Sequence, residues 1–174
     1  MSISSYRYSG DRTVLSYEEM NGYCNRAIKL NPNCKLTLIL MQVNDMEDYM
    51  KNEGSGFVQD LLQSVQDTVR RHVGHRGIVC PLQPNLMSVV VQDINSDIKL
   101  RAFIESLRSR IAWNYRLIDP KYEISFSFGV ACYPENGMDM RIVHRKLVKA
   151  LQMAQEKHAN CYVIYKEHLH GELS

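Results

Sequence analysis

Lys35 to Asn44 reads KLTLILMQVN, and no other stretch of the chain restricts the fold as much. A strand that is apolar on one face can lie at the surface of a protein. This one is apolar on both faces towards its centre, which places it in the middle of a sheet covered on both sides. Two further apolar runs, Gly77 to Cys80 and Leu86 to Gln92, follow each other closely enough to form a hairpin. Strong alternation from Lys121 to Tyr133 predicts another strand, and Cys161 to Tyr165 a last short one.

Helical patterns run between these strands. Ser16 to Leu30 opens with a serine cap, has Glu19 three residues on, and stops at Asn31-Pro32-Asn33. Asp45 to Asn52 predicts a short helix, interrupted by Gly54-Ser55-Gly56. Beyond it Phe57, Leu61, Leu62, Val65, Val69 and Val73 trace one helical face. Ile98 to Trp113 carries Phe103, Ile104, Leu107 and Ile111 on one side, and Met140 to Lys157 has the stripe Val143, Leu147, Val148 and Leu151. A hairpin inserted among helical crossovers implies an α/β fold: a mixed central sheet flanked by helices, of ferredoxin-like descent. The 174 residues suit one such domain over residues 16–168, with an N-terminal extension over 1–15 and a polar tail over 169–174.

Composition excludes several functions. A net charge of +2 argues against a nucleic-acid binder or a membrane-surface protein. The densest basic cluster, Arg70-Arg71-His72 with His75 and Arg76, falls where a helix should end, and cations there favour the helix dipole. No apolar run is long enough to span a bilayer and the N-terminus has no signal-peptide core, so a cytoplasmic location is expected. Cys24, Cys34, Cys80, Cys132 and Cys161 are odd in number and never spaced C-x-x-C, which fits reduced thiols. The pairs His72/His75 and His168/His170 lack neighbouring ligands at metal-site spacing and read as solvated surface.

The hairpin tip is unusual. Pro81-Leu82-Gln83-Pro84-Asn85 has two prolines, no glycine and no acid. Pro84 fixes φ and removes an N–H donor, and Pro-Asn suits the centre of a type I turn. Glycines let a backbone approach a nucleotide closely; this tip has none.

Three segments carry a resemblance. Glu18-Glu19-Met20-Asn21-Gly22-Tyr23-Cys24-Asn25-Arg26 is similar to D-x-L-T-G-L-x-N-R. Ser125 to Pro134 with Gly137 is close to S-x-G-V-A-x-Y-P-x-x-G, and Ala150 to Tyr165 to A-L-Y-x-A-K-x-x-G-R-N-x-V-x-x-Y. Over about Ser16 to Tyr165 the chain resembles GGDEF domains, the diguanylate cyclase fold. That resemblance implies a palm-like domain that condenses two GTP into cyclic di-GMP as a dimer, with magnesium as cofactor.

Position by position, the family's ligands are replaced. Its metal-binding D-x-D acids fall on Gln42 and Asn44. The base-contacting asparagine and the aspartate after it become Met50 and Lys51. In the downstream G-H-x-x-G-D segment only Gly54 is kept; Val58 and Gln59 take the places of the second glycine and the aspartate. The signature loop falls on Gln83-Pro84-Asn85-Leu86-Met87, and the phosphate-contacting lysine and arginine on Gln155 and Ala159. The R-x-x-D of the inhibitory cyclic di-GMP site falls on Gly74 and Gly77, so that site is expected to be missing.

Magnesium prefers hard, charged oxygen ligands, and phosphoryl transfer depends almost wholly on electrostatic positioning. The expectation is a catalytically inactive, GGDEF-like regulatory or interaction domain without magnesium or GTP. Its vestigial cleft would be formed by Gln42, Asn44, Met50, Gln59, Gln83, Pro84, Asn85, Gln155 and Ala159. The partner expected is an adjacent domain of a larger signalling protein, EAL-type for example, or a second copy. Two alternatives stay open. One is a nucleotide enzyme with displaced ligands, recruiting Asp45, Glu47, Asp48 or Asp93. The other is a small-ligand sensor using Gln42, Asn44, Gln83 and Asn85.

Overall fold

A computed structural model describes residues 17–116, 124–157 and 161–171. The expected extension 1–15, the Ser16 cap, the start of the strand pattern at Lys121 and the last tail residues 172–174 lie outside the described residues. The elements follow the predicted order, with one unpredicted helix, α6, at the end: α1 (Tyr17–Leu30), β1 (Leu36–Val43), α2 (Met46–Glu53), α3 (Ser55–Val73), β2 (Gly77–Gln83), β3 (Leu86–Gln92), α4 (Asp97–Arg116), β4 (Phe126–Tyr133), α5 (Met140–Glu156), β5 (Cys161–Ile164) and α6 (Glu167–His170). The strands form one five-stranded sheet in the order β2-β3-β1-β4-β5. β1 is antiparallel to both neighbours, and β5 runs parallel to β4. The sheet is mixed and β1 lies at its centre.

Alternation along β1 divides its side chains between two cores. Ile39, Met41 and Val43 enter the core formed with α3 and α4, where Leu61, Val65, Val69, Ile104 and Leu107 are buried. Leu36, Leu38 and Leu40 enter the other, beneath α1 and α5, with Met20, Cys24, Val143, Leu147 and Leu151. Each such side chain contributes roughly 1.5–3 kcal/mol on burial, which is why a strand apolar on both faces must be internal. The helical faces differ slightly from the pattern. Val58 is buried while Phe57 only packs against the core, and Ala150 and Ala154 are buried where Val148 is half-exposed. Small residues win those places because α5 lies close to the sheet.

The closeness is set by β4, whose α5 side presents Ser127, Gly129 and Ala131. A Cβ on Gly129 would stand 2.3 Å from the Leu151 nitrogen and 2.7 Å from the Leu147 oxygen.

Three local differences from the sequence pattern have physical causes. β2 does not stop at Cys80 but continues through Pro81 to Gln83, with an irregular register between Pro81 and Gln83. The connection is therefore a tight turn at Pro84-Asn85, and neither residue has positive φ. Such turns match strand twist less well than the primed types, and a register irregularity adjusts the twist. Second, the expected polar tail begins within α6, which is docked: Lys149 Nζ and Tyr165 OH donate to the His170 carbonyl at 2.9 and 3.3 Å. His170 is accordingly not a solvated side chain; its Nδ1 accepts from the Lys166 backbone N–H at 2.9 Å. Third, Asp45 adopts a left-handed conformation, φ 62°, ahead of α2 instead of joining it.

The basic cluster closes α3 as expected: Arg70 pairs with Asp67, and Arg76 donates to the His72 carbonyl at 2.7 Å. His75 is exposed as expected, but His72 is not the solvated side chain its pairing with His75 suggested: it is buried, its ring 4.6 Å from that of Phe103. Burial and then the Arg110 guanidinium hold its pKa below the ordinary value of 6.5, with Arg76 adding to the effect and the Phe103 carbonyl opposing it.

Two outcomes follow. Gly129→Ala forces α5 away from β4 and lowers stability by about 2 kcal/mol or more, measured by urea unfolding. Because the unfolded chain takes up the His72 proton before the folded one, stability falls as pH drops through the ordinary histidine value towards the lowered folded one. The urea midpoint should decline as pH falls below the ordinary histidine value of 6.5, and His72→Asn should remove part of that decline.

Candidate functional site

Where β1 ends, its side chains leave the cores and a polar cleft of about 570 Å³ opens. Gln42, Asn44, Asp45, Glu47, Asp48, Asn85, Ser125, Ser127 and Gln155 line it. Sequence position dictates this: Gln42 lies on the α5 side of β1, in register with Leu86 on β3 and Ser127 on β4. Gln155, near the end of α5, reaches across and donates from Nε2 to the Gln42 Oε1.

Asn44 is held more firmly. Its backbone N–H donates to the Ser125 carbonyl at 2.9 Å. Its side-chain Nδ2 donates to the Ser125 and Ser127 hydroxyls, each at 3.0 Å. Both serines are buried. An amide at this place can donate to both hydroxyl oxygens at once, where a carboxylate could only accept from them.

Asn85, at the tip of the hairpin, is likewise engaged. Its carbonyl accepts from the Val43 N–H at 2.9 Å, and its Nδ2 donates to the Val43 carbonyl at 3.2 Å. It binds both backbone groups of the last β1 residue and so closes the sheet at the edge of the cleft. Asn85 thus acts as a clasp between strands.

Of the residues expected in the cleft, the structure brings together Gln42, Asn44, Asn85 and Gln155. Met50, Gln59, Gln83 and Pro84 are exposed and do not line it. Met50 and Gln59 lie on α2 and α3, and Gln83 and Pro84 lie at the end of β2 and in the hairpin turn. Ala159 falls outside the described residues. Ser125 and Ser127 were missed as site residues. The signal was available: in Ser-Phe-Ser-Phe the phenylalanines belong to the α3/α4 core, so the serines take the opposite face. Asp93, weighed as a recruited acid, is not among the lining residues, whereas Asp45, Glu47 and Asp48 are.

The charge of the cleft is therefore one-sided. Three carboxylates occupy its rim, and no lysine or arginine is among the lining residues. Among the described residues, no group of three or more histidine, cysteine, aspartate or glutamate side chains is arranged to hold a metal ion. No helix among them is long and apolar enough to cross a membrane. The cysteines Cys24, Cys80 and Cys132 have thiols pushed up to about 12, 12 and 11, chiefly by burial, so they supply no nucleophile at neutral pH.

Comparison with known proteins agrees with this frame. Residues 17–161 match the family described as diguanylate cyclase, GGDEF domain. An uncharacterized Synechocystis protein is 17% identical over 142 residues; the match spans 82% of this chain but only 20% of that protein's length. The active GGEEF domain of a diguanylate cyclase from Vibrio cholerae superposes with a TM-score of 0.75 at 13% identity, covering 89% of this chain and 99% of that one. A diguanylate cyclase/phosphodiesterase from Caldicellulosiruptor saccharolyticus gives 0.73 at 19% identity, covering 90% and 92%. At these identities the likeness is one of fold.

Removing the Asn44 amide leaves two buried hydroxyls without their donor. Asn44→Ala should cost about 1–3 kcal/mol in urea unfolding, whereas Gln155→Ala, at an exposed position, should change stability by less than about 0.5 kcal/mol.

Proposed function

This chain belongs to the diguanylate cyclase GGDEF domain family, and from that premise we propose that it is a non-catalytic regulatory or interaction domain of cyclic di-GMP signalling. One observation carries the reading: the side chain at the family's metal-acid position, Asn44, is an amide committed to Ser125 and Ser127, in a cleft lined by no cation.

The donor set does not fit a magnesium–triphosphate complex. Gln42, Asn44 and Asn85 offer neutral amide oxygens, and each side chain already has a protein partner. Magnesium sites of this kind use carboxylates together with substrate phosphates. The carboxylates that are present, Asp45, Glu47 and Asp48, lie on the rim without a lysine or arginine among the lining residues to offset phosphate charge. A triphosphate entering the cleft would meet like charge. Losing even about 4 kcal/mol of transition-state stabilisation slows a reaction about a thousandfold, and here ligand, phosphate and base contacts change together.

The regulatory role follows from what is kept. The sheet, both cores and the α5 contact are intact while the chemistry is replaced, as in a domain selected for its surface. One structural relative combines cyclase and phosphodiesterase in its name, which supports an adjacent enzymatic domain as the partner. A second reading, an enzyme with displaced ligands, draws on the place of Asp45 at the cleft, next to the usual acid position.

Titration calorimetry with GTP and magnesium and with cyclic di-GMP, paired with chromatographic analysis of products, separates these readings. Neither heat of binding nor cyclic di-GMP formation is expected. Asn44→Asp alone should not raise turnover above background, because Gln155 and Met50 still replace the phosphate and base contacts. Product formation by the unmodified chain would overturn the proposal in favour of displaced ligands; binding without turnover would replace it with a sensor.

A further inference from the structure

The charge missing from the cleft appears on another face of the same chain. Arg141, Arg145 and Lys149 follow one another at spacings of four along α5, with Lys146 beside them and no acid between Met140 and Lys149. Like charges at this spacing repel one another, so the stripe is unfavourable in the isolated helix and is relieved by an anionic partner. Part of that relief is already visible. Lys146 pairs with Glu167 of α6 and lies over the Tyr165 ring, 5.6 Å from its centroid. Arg141 is held by Asp139 at 2.9 Å. Arg145 forms no ion pair or hydrogen bond among the described residues.

Between α5 and α6 lies a groove of about 350 Å³ lined by Ile142, Arg145, Lys146, Lys149, Tyr165 and Glu167. Its floor is aromatic, its wall at Ile142 apolar and its rim cationic. Leu169 on α6, two residues beyond the lining residue Glu167, is 67% exposed and adds apolar surface to the same short helix. The site therefore suits an anionic segment with an apolar side chain.

The first turns of α2 have that chemistry. Glu47 and Asp48 are exposed at the cleft, and Met50, 48% exposed, follows them on the same short helix. We infer that the basic α5/α6 groove of one copy docks the acidic α2 rim of a second, a head-to-tail contact between unlike surfaces. It rests on the reading that the cleft does not take up a metal–triphosphate complex, since both occupants would require the same rim. Because the two surfaces differ, each copy retains one free donor and one free acceptor face, and the contact propagates instead of closing on a two-fold axis. Exposed ion pairs contribute little each, so the association is weak, salt-sensitive and dependent on concentration.

Sedimentation velocity without nucleotide tests this, so its outcome does not depend on whether the cleft has any activity. The unmodified chain should form a series of oligomers at high concentration, and association should weaken at least about fivefold as salt rises from roughly 50 to 500 mM. Arg145→Glu with Leu169→Ser, and separately Glu47→Gln with Asp48→Asn, should each be monomeric, with circular dichroism confirming that they fold. Mixed together, these two variants should form a complex that stops at one copy of each, because only one intact groove can meet one intact rim. A monomeric unmodified chain, a discrete symmetric dimer, persistent oligomers in either variant, or no complex in the mixture would each overturn the inference.

Discussion

The structure depends on a strand buried on both faces. β1 hydrogen-bonds to β3 on one side and β4 on the other, and its alternate side chains are divided between two cores. Such a strand cannot slip by one residue without exchanging the contents of the cores, so the positions at its end are placed with the same accuracy as its centre. Gln42 and Asn44 owe their location to that register. The end of a central strand is also where backbone groups lose their ladder partners, and Asn44, Asn85 and Ser125 supply replacements. The cleft is the polar closure of the sheet.

A cleft assembled in this way can be stable without being catalytic. The amide–hydroxyl network around Asn44 satisfies buried donors and acceptors from within the protein. The charge of the opening comes from other residues, Asp45, Glu47 and Asp48. A site for triphosphate requires positive charge on metal or side chains; this one has carboxylates at its rim. Cations are instead gathered on α5, on the helix whose close approach to the sheet Gly129 permits.

Docked α6 gives that basic face its shape. Its carbonyl and histidine contacts with Lys149, Tyr165 and Lys166 turn what reads as a polar continuation of β5 into one wall of a groove. Short polar segments have no periodicity from which such docking can be read; contacts across 21 residues, of Glu167 with Lys146 and of His170 with Lys149, reveal it.

Local pattern was enough for the elements as far as β5, the central place of β1, the pairing of β2 with β3 and the amide character of Gln42, Asn44, Asn85 and Gln155, because periodicity and residue chemistry are properties of the chain itself. It was not enough for the membership of the site. Met50, Gln59, Gln83 and Pro84 were expected in the cleft yet stand outside it, and Ser125 and Ser127 enter it from a strand noted for its phenylalanines. Sequence determined which residue types stand at the end of β1, amides and hydroxyls with carboxylates beside them. Tertiary structure decided which of them meet and where opposite charges are displayed, since the contacts of Asn44 with Ser125 and of Gln42 with Gln155 join segments 81 and 113 residues apart, which no local pattern encodes.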